Sequence, residues 1–182
     1  MFFYVLMDEF GNPPFPTPEN IGGDNPAQIK RADLFSWLET ELLDLGSDAS
    51  DMPERGEVEY PRPTKGSVWA LLSRMYLNAE VYTGTAMWSQ AKDVCEEIFD
   101  MGYALSPDYE ALFRGDNGDN PAARNEMLWA VSYNVEKTQS YGGTSYMLAA
   151  SLAATDITDQ SKPNGQRNGW AGLRTPYEYV DR

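Results

Sequence analysis

The sequence predicts a mainly α protein made of tetratricopeptide-like helical hairpins, with long irregular loops and one short β element. Three observations point there. Residues 65–103, KGSVWALLSRMYLNAEVYTGTAMWSQAKDVCEEIFDMGY, carry two apolar stripes at helical spacing on either side of a short turn. Two stretches nearer the N-terminus repeat that spacing. Only EMLWAVSY, residues 126–133, runs apolar or alternates in the manner of a strand.

The chain opens with a helical stub in which Phe2, Phe3, Leu6 and Phe10 group together. Gly11-Asn12-Pro13-Pro14-Phe15-Pro16-Thr17-Pro18 must leave the helix, because proline lacks a donor and restricts the residue before it. Helix resumes near Pro26, with Ile29, Ala32, Leu34, Phe35, Leu38 and Leu42 as its buried stripe, and ends near Gly46. Residues 46–63 are acidic, contain proline and read as a loop.

In the first arm of the hairpin Val68, Leu71, Leu72, Met75, Ala79 and Tyr82 line one helix face. Gly84 is a stop suited to the left-handed conformation in which helices often end, and Thr85 is placed to cap the next helix. In the second arm Trp88, Ala91, Val94, Cys95, Ile98 and Phe99 repeat the period up to Gly102, with Ala91 small enough for a close crossing. Such a hairpin is the unit that tetratricopeptide arrays stack, though periodicity alone equally fits one hairpin inside an ordinary globular protein. Residues 107–113 form one more short helical segment, and a polar run at 116–121 follows. From residue 134 Gly, Ser, Thr, Asn and Asp dominate, with a short helix expected around 146–153.

Composition narrows the function. With 42% hydrophobic and 13% aromatic residues, the 182-residue chain can fill a substantial core. Its net charge of −14 repels phosphate backbones, which argues against nucleic acid as a partner. Eight carboxylates between Glu39 and Glu59 face only Arg55, as in a solvated surface run. Cys95 is the single cysteine and lies on an apolar face, where an inert buried thiol is expected. No histidine is present, which removes Ser-His-Asp, Cys-His and histidine-ligated zinc chemistry. Paired carboxylates could serve a glycosidase, but so many are present that a suitable separation discriminates nothing. No segment carries the ~20 apolar residues that span a bilayer, and the start lacks a basic n-region and cleavage site.

With these pieces in place, the sequence resembles the SusD/RagB family of outer-membrane glycan-binding lipoproteins. LMDEFGNPPF is similar to the family's helix exit, and RADLFSWLETELLDL to its next helix. GSVWALLSRMYLNAEVYTGTAMWSQAKDVCEEIFDMGYAL is the most specific part, close to the family's central hairpin, and DYEALFRGDN, NEMLWAVSYN and QSYGGT resemble the segment that leads out of it. The match covers a middle portion of the usual family length, without the signal peptide and lipidated cysteine. The resemblance implies a helical scaffold over residues 1–103, a loop-rich excursion over 104–182, and no catalysis. It further implies an outward-facing place on the outer membrane, where the protein captures oligosaccharides or polysaccharides for a TonB-dependent transporter. The alternative is a helical scaffold that docks on the transporter, with the sugar site elsewhere.

Sugars present flat C–H faces ringed by hydroxyls, so a site needs aromatic faces with polar groups at their edge. Trp170, Tyr141, Tyr146 and Arg174 are the candidates, with Asn168 and Gln139 as weaker polar helpers. Trp170 lies in a glycine-flanked loop, and packing onto the scaffold is the competing role for each aromatic. No cofactor is expected. Residues 116–120 are rich in oxygen ligands and leave calcium open, but Met127 stands where an EF-hand loop needs a bidentate Glu.

Overall fold

The apolar stripes become helices. The computed structural model describes residues 1–20, 23, 25–133, 137, 143–153 and 169–173. The chain forms two units, Met1–Val131 and Ser132–Arg182. The first contains α1 (Phe2–Glu9), α2 (Arg31–Gly46), α3 (Lys65–Leu77), α4 (Ala79–Thr83), α5 (Trp88–Asp100) and α6 (Pro121–Glu126). Short 3₁₀ turns lie at Pro18–Asn20 and Glu110–Phe113. In the second unit the described residues include α7 (Gly143–Ser151).

The first arm of the central hairpin buries the face its sequence predicts. Val68, Leu71, Leu72, Met75, Ala79 and Tyr82 are all buried. Gly84 ends α4 at φ 80° and Gly102 follows α5 at φ 74°, a region that costs other residues roughly 1–2 kcal/mol. The first arm is nevertheless two helices. At Asn78 the backbone turns to φ −103°, ψ 10°, and its side-chain amide donates to the Arg74 carbonyl at 2.9 Å, competing with the helical ladder. Thr85 does not cap α5. Its N–H is held by Thr83 Oγ1 at 3.1 Å, and Met87 occupies the cap position.

The faces expected for α5 and α1 need correction. In α5 only Ala91, Val94 and Ile98 are buried, whereas Trp88 and Phe99 are 63% and 72% exposed and Cys95 is half-buried. An outer helix that packs chiefly against α3 buries a narrow strip, so flanking positions face solvent. In α1 the buried residues are Tyr4 and Met7, while Phe2 and Phe10 are exposed. Phe3 is only partly buried, stacking with Phe15 and Trp37 at centroid distances of 5.1 and 5.2 Å. That cluster pins the proline-rich loop to α1 and α2.

The start of α2 is also displaced, from Pro26 to Arg31. Residues 13–15 and 27–29 instead pair as a minimal antiparallel ladder, with Phe15 N–H donating to Ala27 O and Ile29 N–H to Pro13 O, both at 3.0 Å. These bonds satisfy backbone groups that neighbouring prolines cannot help to pair, and they hold Ile29 out of the helix. The expected strand at 126–133 is absent. Glu126 ends α6, and the next residues run irregularly with Val131 and Tyr133 exposed. A strand needs a neighbour for its backbone, and no strand occurs among the described residues. Leu128 O instead accepts the Ser67 hydroxyl at 2.8 Å.

Polar groups tie the helices together. The Arg31 guanidinium donates to Met7 O at 2.8 Å and Asp8 O at 2.7 Å, capping the carbonyl end of α1, and lies over the Tyr82 ring. Tyr82 OH donates to Asp8 Oδ1 at 2.6 Å. Burial, reinforced by the bond to Asp8, raises the Tyr82 phenol above its ordinary value, and burial beside Glu39 raises Tyr76. The unfolded chain would lose these protons near pH ~10 while the folded chain keeps them. Stability should therefore be intact below pH ~10 and fall as pH rises beyond it, with a smaller fall in Tyr82→Phe, measured as urea midpoints in parallel buffers.

Close approach is a second constraint. A Cβ on Gly46 would lie 2.5–2.9 Å from the Trp69 indole, whereas one on Gly115 would meet nothing within 4 Å. Gly46→Ala should destabilise by roughly 1–3 kcal/mol in urea unfolding, while Gly115→Ala stays within about 0.5 kcal/mol.

Candidate functional site

In the second unit, the end of α7 and the segment 169–173 hold each other. The last carbonyls of a helix have no partner inside it. Here Ala149 O accepts from Trp170 N–H at 2.7 Å, and Ala150 O accepts from Gly172 and Leu173 N–H at 2.8 and 2.9 Å. Just beyond the helix, Leu152 O accepts from Ala171 N–H at 2.9 Å. Four consecutive N–H groups are thus fastened to one helix end.

Two residues adapt the backbone to this arrangement. A Cβ on Gly169 would come within 2.5 Å of Leu152 O, so only glycine allows the approach. Ala171 sits at φ 52°, a left-handed conformation unusual for alanine. Such strain persists where surrounding bonds overdetermine the backbone, and it tends to mark functional segments.

Held this way, Trp170 meets Tyr146, which projects from α7. Their rings are 5.9 Å apart at 67°, an edge-to-face pair. Both stay open to solvent, Trp170 at 50% and Tyr146 at 44% exposure. Ala149 and Ala150 are buried beside them, so the small residues of α7 provide the packing while the large rings remain outside. An exposed aromatic pair on an anchored backbone offers two apolar ring faces set at an angle to each other.

Of the residues singled out from sequence, Trp170 and Tyr146 are therefore neighbours. Tyr141, Arg174, Asn168 and Gln139 lie outside the described residues. The polar run at 116–120 is engaged in local structure, where Asn120 Oδ1 accepts from Ala122 N–H at 2.9 Å to cap α6. Asp119 pairs with Arg124 at 3.4 Å. Gly169 and Ala171 were legible only as small neighbours of Trp170. Their contribution comes from the register against α7, which local sequence does not reveal.

No family model matches the chain. A curated protein, starch-binding protein SusD of Bacteroides thetaiotaomicron, is 30% identical over 172 residues. The aligned part covers 94% of this chain and 29% of the relative's length.

The anchoring has a direct readout. The amides of Trp170, Gly172 and Leu173 should exchange with deuterium at least about tenfold more slowly than free peptide, and Gly169→Ala should abolish that protection. Rapid exchange of all three in the unmodified protein would contradict the arrangement.

Proposed function

We propose that this chain belongs to the SusD/RagB family and is a non-catalytic glycan-binding element in which Trp170 and Tyr146 stack on a sugar. The observation that carries this reading is the exposed edge-to-face pair, fixed to the end of α7 by backbone bonds. An edge-to-face pair presents two surfaces at an angle, which suits a curved oligosaccharide better than a single flat ring would.

The relative's name supplies starch as the first glycan to try. The whole protein, of which this chain matches 29% in the relative, would be held on the outer face of the outer membrane. There it would pass oligosaccharides or polysaccharides to a TonB-dependent transporter. The helical first unit would serve as scaffold in that assembly. Stacking sites of this kind are shallow and exchange water for sugar with little net gain, so affinity should be roughly micromolar to millimolar.

The test is affinity electrophoresis through gels containing soluble starch, with calorimetric titration of maltoheptaose alongside. Trp170→Ala should weaken binding by about tenfold or more, and Tyr146→Ala by less, with circular dichroism unchanged. Starch and maltoheptaose that are neither retained nor bound by the folded protein would sink the proposal for α-glucans. Retention that ignores both substitutions would move the site away from this pair.

A further inference from the structure

The first unit contains a cleft of about 380 Å³, within the ~300–1,000 Å³ typical of small-molecule sites. It opens between the loop carrying Arg55, Tyr60 and Arg62 and the segment carrying Arg124 and Trp129, with Tyr103 in its wall. Its charge runs against that of the protein. In a chain of net charge −14, three arginines line it, and no Asp or Glu is among its described lining residues.

The arginines are not equivalent. Arg55 donates to Gly102 O at 2.6 Å and to Asn125 Oδ1, and lies 4.6 Å over the Tyr103 ring. Arg124 donates to Gly118 O, lies 4.9 Å over the Tyr60 ring, and has Asp119 at 3.4 Å as its partner outside the cleft. These two are wall, each held over a ring. Arg62 differs, because its exposed guanidinium makes no ion pair or side-chain hydrogen bond among the described residues. Trp129, 38% exposed, makes no ring or cation contact among them. The cleft thus offers a free forked donor and an indole, inside walls that keep positive potential high.

We propose that this cleft is a separate subsite for an anionic sugar, one carrying a carboxylate or a sulfate ester, with Arg62 on the acid group and Trp129 against the ring. A planar guanidinium matches a carboxylate or sulfate through two parallel bonds. The bound anion would sit in the field of Arg55 and Arg124, whose own donors are directed to protein. The anionic half of the assignment stands on the arginines, and the sugar half rests on the glycan reading above.

The test is calorimetric titration of the whole chain with trigalacturonate, a sulfated disaccharide, maltotriose and sodium sulfate alone. At least one acidic sugar should bind saturably, more tightly than sodium sulfate, and weaken as salt is raised. Which of the two binds identifies the acid group as carboxylate or sulfate ester. Arg62→Gln should weaken that binding about tenfold, and Trp129→Ala should weaken it too, with thermal melts matching the unmodified protein. Absence of binding by both acidic sugars would overturn the proposal, as would equal affinity in Arg62→Gln. Sodium sulfate binding as tightly as the acidic sugars would reduce the cleft to a bare anion site. Trp170→Ala should weaken maltotriose binding while leaving the acidic-sugar isotherm in place, so the two sites can fail independently.

Discussion

The first unit depends on the buried beginning of α3. Thr64, Lys65 and Ser67 are polar, yet each is at most 8% exposed, so every one of their groups needs a partner inside the protein. The Lys65 N–H donates to Pro53 O at 3.0 Å, and its ammonium meets Glu54 at 2.8 Å, a bond that raises the Lys65 pKa. Ser67 Oγ accepts from Thr64 N–H at 3.2 Å and donates to Leu128 O at 2.8 Å. Thr64 Oγ1 lies 3.3 Å from Tyr103 OH, and the Tyr103 ring covers Gly66 so closely that no Cβ could fit there. One helical turn therefore fixes the acidic loop, the end of the hairpin and the segment after α6. Those three segments, together with α6, are the walls of the arginine cleft.

The parts of the fold legible in the sequence are those in which one short-range signal decides the outcome. The stripe from Val68 to Tyr82 and the stops at Gly84 and Gly102 are of this kind, since side-chain spacing and backbone sterics act within a few residues. The misread parts were settled by distant partners. Pro26 is a good first-turn residue, but the ladder between 13–15 and 27–29 claims the backbone around it. EMLWAVSY has strand-like residues, but β propensity takes effect only through a neighbouring strand. Trp88 and Phe99 continue the α5 stripe, yet an outer helix buries only the narrow strip facing α3.

The candidate site divides in the same way. That Trp170 is flanked by small residues is visible locally, and so is the presence of aromatics after the hairpin. Which aromatics meet is not. Tyr146 and Trp170 are 24 positions apart, and their contact follows from the 169–173 segment closing the carbonyl end of α7. An N–H row that satisfies a helix end is a rigid mount, because losing it would leave backbone acceptors unpaired. Rigidity matters where the interaction is weak. A loop that had to be ordered on binding would spend much of the small stacking gain on its own conformational entropy.

The same reasoning explains why the arginine cleft escaped a reading of the chain in order. Arg55 and Arg62 lie within or just after a run of carboxylates, so a local window reports that stretch as acidic. Arg124 is adjacent in sequence to nothing basic. Folding separates the signs. Glu54 turns to Lys65 and Asp119 pairs with Arg124 from outside, while the guanidinium groups gather over tyrosine rings. Stacking on Tyr60 and Tyr103 helps to hold two cations in place, and Asp119, the carboxylate paired with Arg124, is not among the described residues that line the cleft. Net charge thus constrains what the whole surface repels, whereas the sorting of charge between faces determines what one cleft can attract.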